Sequence, residues 1–249
     1  MRSPRQVLQE FPDRQDIDLR NRMFRGAVKR PIIVSFSGID GAGKSTQISK
    51  LCDLLQGSGL QVKQLAFWDN VVAFPGLRAG FSHRFLDSES GIGAPEKPVK
   101  RNDKNVRSLP LTIGRSGLFF TDALNLRRRI RDVAREAPDV LVFDRFLYDQ
   151  LATLPLENVV ARRYANFLLD IVPKPDLPII LDAEPDEARR RKPEYPLDFL
   201  HRYRATYLTL SKLANLLVIP PHDAENVHQT IARAFQFATG IGLTSTAAA

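Results

Sequence analysis

The sequence predicts an α/β fold, a three-layer sandwich in which a five-stranded parallel sheet carries helices on both faces. Three observations predict it. Short apolar runs recur near 32–36, 60–67, 140–143, 177–181 and 216–219, and stretches of helical period separate them. The run Val140-Leu141-Val142-Phe143 is too apolar for a half-exposed strand, which places it inside a sheet covered on both sides. The first run passes at once into a glycine-rich turn and then into a helix. At 249 residues, 43% hydrophobic and 26% charged, the chain suits one such domain with trimmings better than two domains.

Residues 1–30 are polar, charge-rich and weakly periodic, and are expected to form a basic arm ahead of the first strand, Ile32 to Phe36. From Thr46 to Leu55 the apolar residues Ile48, Leu51, Cys52, Leu54 and Leu55 recur at helical spacing, and Gly57 and Gly59 stop the helix. Leu60 to Phe67 alternates as a strand should. This completes a β-loop-α-β unit with parallel strands and a right-handed crossover. Prolines, glycines and mixed charge from about 69 to 112 read as an insertion on the acceptor or partner side of the domain. Helical period returns near Gly114 and runs through Leu118, Phe119, Ala123, Leu126, Ile130 and Val133. The strand Val140 to Phe143 closes on Asp144-Arg145, and a helix around Glu157 to Val172 follows. Leu177 to Asp182 is the fourth strand, Pro185 to Lys192 a short basic helix and Pro196 to Leu213 a longer one. Leu216 to Ile219 is the last strand and Asp223 to Phe237 the closing helix. The domain is thus expected to span 31–240, with a flexible tail at 241–249.

The octapeptide Gly38-Ile39-Asp40-Gly41-Ala42-Gly43-Lys44-Ser45 carries the most specific chemistry in the chain. Its glycines permit backbone dihedrals closed to other residues, so successive N–H groups can converge on phosphate oxygens. Lys44 adds a positive charge toward the β- and γ-phosphates, the helix N-terminus adds its dipole, and the Ser45 hydroxyl is placed to ligate magnesium. Asp144 supplies the second oxygen that such chemistry needs, a carboxylate at the end of a strand beside the phosphate loop.

Composition narrows the setting. No apolar stretch approaches the length needed to span a bilayer, and Met1-Arg2-Ser3-Pro4-Arg5 leads into polar sequence, so a cytoplasmic protein with no membrane partner is expected. The single cysteine, Cys52, reads as a small packed apolar residue. Four histidines scattered without ligand spacing predict no zinc. A net charge of +8 attracts anions of any kind. Basic residues gather in the N-terminal arm, in Arg127-Arg128-Arg129-Ile130-Arg131, and in Arg189-Arg190-Arg191-Lys192. The bland reading of such runs is a solvated helix face.

The string Phe36-Ser37-Gly38-Ile39-Asp40-Gly41-Ala42-Gly43-Lys44-Ser45-Thr46-Gln47 resembles the N-terminal signature of the thymidylate kinases, and Asp144-Arg145-Phe146 resembles their Asp-Arg-aromatic motif. Pro175-Asp176-Leu177 through Leu181-Asp182, then Pro185-Asp186-Glu187-Ala188 and Arg191, is similar to the family's fourth strand and the start of its lid. Phe199-Leu200-His201-Arg202-Tyr203-Arg204 with Tyr207-Leu208 is similar to the helix after the lid. The resemblance covers Pro31 to Ile219 in order, and implies a P-loop NTPase fold with ATP and magnesium as cofactors. It further implies that Gly38, Asp40, Gly41, Ala42, Gly43, Lys44, Ser45 and Thr46 form the nucleotide cradle, with Ser45 and Asp144 toward magnesium. Asp40 would face the acceptor sugar or the metal, Arg145 would bind the acceptor phosphate, and Arg191 would lie against adenine. Some members place a catalytic arginine in the phosphate loop; with Ala42 there, only the lid can supply one, from Arg189, Arg190, Arg191 or Lys192. The bland alternative is a basic surface turn with Glu187 and Arg191 as an exposed pair contributing about 0.3–0.5 kcal/mol. A homodimer is compatible with the family.

The acceptor half departs from the family pattern. Phe67-Trp68-Asp69-Asn70-Val71 stands where the family has Arg-Glu-Pro-Gly-Gly, Leu124 stands in the place of a base-reading arginine, and Asp149-Gln150 replaces paired serines. The leading expectation is therefore an ATP-dependent kinase of a nucleoside monophosphate or a related phosphorylated small molecule. Two alternatives stay open: a kinase of a non-nucleotide metabolite, and a nucleotide-dependent interaction protein whose basic segments bind nucleic acid or an acidic partner, which salt dependence would reveal.

Overall fold

The structure, a computed structural model, describes residues 30–72 and 109–243, and of 109–115 the backbone only. The N-terminal arm before Arg30, most of the insertion and the last six residues lie outside it.

The elements run β1 (Ile32–Ser37), α1 (Lys44–Gly57), β2 (Val62–Ala66), α2 (Phe67–Asn70), α3 (Leu109–Ala134), β3 (Val140–Asp144), α4 (Leu147–Leu151), α5 (Val159–Ile171), β4 (Leu177–Leu181), α6 (Pro185–Arg191), α7 (Leu197–Ala214), β5 (Leu217–Ile219) and α8 (Ala224–Thr239). The five strands form one parallel sheet in the order β2-β3-β1-β4-β5. The connection from β1 to β2 travels one way across the sheet and the later ones travel the other. With a single crossover hand, α1 must then lie on the opposite face from the helices joining the later strands.

The core shows this division. Val34, Phe36, Val140, Val142, Ile179 and Leu181 pack with Ile48, Leu51, Leu55 and the α8 residues Ile231 and Phe235. Ile33, Leu141, Phe143 and Ile180 face the other way, onto Phe119, Leu126, Leu168, Leu200 and Leu210. Each such fully buried side chain contributes roughly 1.5–3 kcal/mol. Cys52 belongs to the first of these layers, buried and unpaired. Ile241 and Leu243 also pack on that layer, so the fold continues past residue 240.

Three local readings change. The second strand stops at Ala66, and Phe67, buried, opens a single helical turn whose Asn70 side chain accepts from the Ala66 N–H at 2.8 Å. The long helix α3 begins at Leu109, five residues before its apolar period becomes visible; Pro110 falls in its first turn, where a missing N–H costs nothing. A short helix absent from the periodic pattern, α4, follows Phe146 directly: the Asp149 carboxylate accepts from the Phe146 N–H at 3.1 Å and so caps its start. Among the described residues no helix is long and apolar enough to cross a membrane.

Candidate active site

At β1 the connection leaves in the direction opposite to its neighbours', so chain segments diverge at the carboxyl edge of the sheet and leave a crevice there. The predicted motifs meet in it. Asp144 ends β3 in register with Phe36 of β1 and Ala66 of β2, one step from the glycine-rich turn.

The turn itself is held by its surroundings. Gly41 lies at φ 85°, and a Cβ there would run into the Ala188 carbonyl oxygen of α6, so only glycine lets the loop and that helix approach. Gly43, at φ 87°, caps α1, whose first turn carries no acidic residue to oppose the helix dipole. Ile39 is buried and anchors the loop to the core. Ser45 and Thr46 are exposed at its mouth. The Lys44 side chain folds back over the loop, where Nζ donates to the Gly38 and Ile39 carbonyls at 2.8 and 2.9 Å. Burial first, and then the neighbouring Arg145, push its pKa down to about 8 against the pull of Asp40, Asp149 and Asp144.

Arg145 faces this loop. Its backbone takes φ 66°, uncommon for a residue with a side chain, while its N–H bonds to the Phe36 carbonyl at 2.9 Å. Its guanidinium then spans two carboxylates, Nη1 donating to Asp149 at 3.0 Å and Nη2 to Asp40. Burial alone would lower the Arg145 pKa; Asp149 and Asp40 outweigh it and raise it, so the charge is permanent. Burial works to raise the Asp40 pKa, and Arg145, Lys44 and Lys192 outweigh it and hold the carboxyl below its ordinary value. Lys44, Arg145, Asp40 and Asp144 thus share one electrostatic neighbourhood.

The basic cluster after β4 divides. Arg191 reaches the phosphate loop, with Nη1 3.5 Å from the Gly41 carbonyl oxygen and Nη2 3.5 Å from Glu187. The charge of Lys192 is felt at Asp40. Arg190 is exposed and donates back to the Asp186 carbonyl at 3.4 Å, and Arg189 is half-buried. Arg204 of α7 fixes the start of α6, gripping Asp182 at 2.7 and 2.8 Å and Glu184 at 2.7 and 2.9 Å. Beside Ala42 and Arg191 opens a cleft of about 440 Å³, closed on its far side by Pro220, Pro221, His222 and Asp223.

Sequence reasoning missed this last segment and the buried cluster around Asp149. The signal for the first was positional: Pro220 to Asp223 leaves the carboxyl end of a parallel strand, the edge where ligands bind. For the second, Asp149 was visible only as a departure from a motif. Leu124, which stands in the place of a base-reading arginine, is 45% exposed; in the same stretch the buried polar residue is Asp122, which accepts from Gln150 Nε2. The Arg127 run lies along α3 with Arg128 and Arg135 paired to Asp132, and Arg30 pairs with Asp176, the arrangement of a solvated surface.

No protein-family model matches the chain. A probable thymidylate kinase of Methanosphaera stadtmanae is 29% identical over 204 residues, which cover 79% of this chain and 92% of that protein. A probable thymidylate kinase of Archaeoglobus fulgidus is 26% identical over 213 residues, 82% of this chain and 95% of its own length. One from Pyrobaculum aerophilum is 30% identical over 218 residues, 82% of this chain and 98% of that protein. With a likeness that runs through nearly the whole of such relatives, the chain belongs to the thymidylate kinase family and is an ATP-dependent nucleoside monophosphate kinase.

Proposed function

We propose that this kinase transfers the γ-phosphate of magnesium-bound ATP to thymidylate or a close analogue. The observation that carries the division of labour is that Lys44 of the phosphate loop and Arg145 at the end of β3 both act on Asp40, so that two cationic side chains from different elements converge at the carboxyl edge of the sheet. On this reading the loop from Gly38 to Thr46 cradles the triphosphate, and the cleft beside Ala42 and Arg191 receives the donor base. Arg145 binds the acceptor's phosphate. Asp40 sits between donor and acceptor. The support for thymidylate itself is the names of the relatives.

Magnesium suits the donor set. Ser45 is exposed and Asp144 half-buried, both present hard oxygen atoms, and the Asp144 charge is felt at Lys44. Among the described residues no three of His, Cys, Asp and Glu cluster to cage an ion, and a magnesium ion that keeps waters and phosphate oxygens needs no cage. When bound, the ion neutralises charge on the β- and γ-phosphates. The protein's own task is alignment: Lys44 and the α1 amides fix the donor, Arg145 fixes the acceptor, and Arg191, which reaches the Gly41 carbonyl, or Lys192, whose charge acts on Asp40, meets charge developing between them. Phosphoryl transfer asks for little beyond positioning and charge neutralisation.

The test is ADP formation from ATP and magnesium over a panel of nucleoside monophosphates. Thymidylate is expected to give the highest kcat/KM. ATP turnover that ignores every monophosphate offered would refute the acceptor assignment.

A further inference from the structure

The structure assigns a positioning role to Asp149: this buried carboxylate, which stands where the family resemblance expects serine, holds the Arg145 guanidinium in place so that its other edge can receive the acceptor's phosphate. The inference rests on the reading of Arg145 as the acceptor-phosphate residue.

An ionised carboxylate offers about four acceptor positions, and the Asp149 side chain fills them with four donors. Oδ2 accepts from Ser37 Oγ at 2.6 Å and from the Phe146 N–H at 3.1 Å; Oδ1 accepts from the Tyr207 hydroxyl at 2.7 Å and from Arg145 Nη1 at 3.0 Å. The side chain is fully buried. Three of these donors are neutral and solvate the charge; Arg145 alone among them compensates it. Moving Arg145 away would leave a buried anion without its counter-ion, the costliest way to break such a pair. Tyr207 is fully buried as well, and burial and Asp149 raise its pKa, so it stays protonated and remains a donor. Tyr203 adds a bond at 2.8 Å to the Asp149 carbonyl, so α7 grips both the side chain and the backbone of this residue.

The other edge of Arg145 meets a different kind of partner. Asp40 lies in the phosphate loop with its side chain 14% exposed, and Lys44 and Lys192 also act on it. It can release Nη2 and keep cationic neighbours. The two carboxylates are therefore unequal: Asp149 is a fixed brace, and Asp40 is the exchangeable partner whose place an incoming phosphate takes. A serine at 149 would solvate Arg145 without anchoring its charge.

The experiment measures KM for the acceptor and for ATP separately in Asp149→Asn, Asp149→Ser, Tyr207→Phe and Arg145→Lys, with a melting temperature for each. Asp149→Asn and Asp149→Ser are expected to raise the acceptor KM about tenfold or more, as loss of a positioning contact does, with the ATP KM held within about twofold. Tyr207→Phe is expected to move the acceptor KM the same way by about threefold, since it removes one neutral donor. Should Arg145→Lys raise the acceptor KM while the Asp149 and Tyr207 variants move neither constant, or move both alike, the brace is wrong and the role of Arg145 stands. Should Arg145→Lys leave the acceptor KM unchanged, the reading of Arg145 falls and the brace falls with it. If the Asp149 variants do not fold, Tyr207→Phe decides by the same criterion.

Discussion

The proposed donor and acceptor sides of this site are built from different materials. The donor side centres on one contiguous stretch, Gly38 to Thr46, and its working parts are backbone N–H groups, a helix end, one lysine and one serine hydroxyl; even its contact with α6 runs backbone to backbone, Gly41 against the Ala188 carbonyl. The acceptor side is made of side chains from separate elements: Ser37 of β1, Arg145 from the β3–α4 turn, Asp149 of α4 and Tyr207 of α7. The difference teaches where damage travels. A backbone site can lose a side chain and stay folded, whereas a side-chain site has its members acting also as one another's counter-ions.

The sharpest break of this contrast is Lys44→Ala. Burial and Arg145 lower the Lys44 pKa to about 8, so at neutral pH its charge is a cost to the folded state rather than a support. Turnover is expected to fall by about a hundredfold or more, the scale of removing one preorganised donor to transition-state charge. The melting temperature should change little. A variant that unfolds, or that keeps its activity, would contradict the assignment.

Gly41→Ala tests the backbone side by the opposite route. The new Cβ meets the Ala188 carbonyl oxygen and the residue must hold a positive φ. A loss of about 1–3 kcal/mol in stability is expected, together with weaker ATP binding, because the loop and α6 must part. Chemical denaturation and a nucleotide titration read both. Unchanged values in the two assays would show that α6 does not press on the loop.

The same contrast explains what could be read before the structure. The donor side was legible because its chemistry depends on spacing along the chain: three glycines, a lysine and a serine between an apolar strand and an amphipathic helix. The five parallel strands were legible too, since Val34, Phe36, Val140 and Val142 are buried by a pattern that composition and period expose. Asp149 was not, because nothing local distinguishes a capping aspartate on a surface helix from one enclosed by Ser37, Tyr207 and Arg145. That enclosure arises only when α7 packs across α4. Likewise Arg189, Arg190 and Arg191 are equivalent in sequence, and the helix turn of about 100° per residue separates them: Arg191 faces the loop and Arg190 faces solvent.

A third test uses pH. Phosphate binding calls for the ammonium form of Lys44, which is retained below about pH 8 and lost above it. Above that point binding must take up a proton, so the affinity for a nonhydrolysable ATP analogue is expected to fall by up to about tenfold per pH unit. Lys44→Ala should bind weakly and without this slope. Calorimetry from pH 7 to 9.5 measures it, and equal affinity across the range in the unaltered protein would show that Lys44 does not contact the phosphates.

The smallest effect is the most discriminating between a working residue and a surface one. Arg191 is exposed, and its pairing with Glu187 at 3.5 Å spans one helical turn in solvent. Such pairs contribute about 0.5 kcal/mol or less, so Arg191→Ala should leave stability untouched. If Arg191 closes the donor cleft over a bound base, the same substitution should raise the ATP KM by about threefold to tenfold, the scale of a cation lost from an aromatic face, with the acceptor KM unchanged. Arg190→Ala, one residue away and directed at the Asp186 carbonyl, should do neither. Equal behaviour of the two variants would mean that the cluster is a solvated turn, and the donor side would then consist of the phosphate loop without the lid arginines.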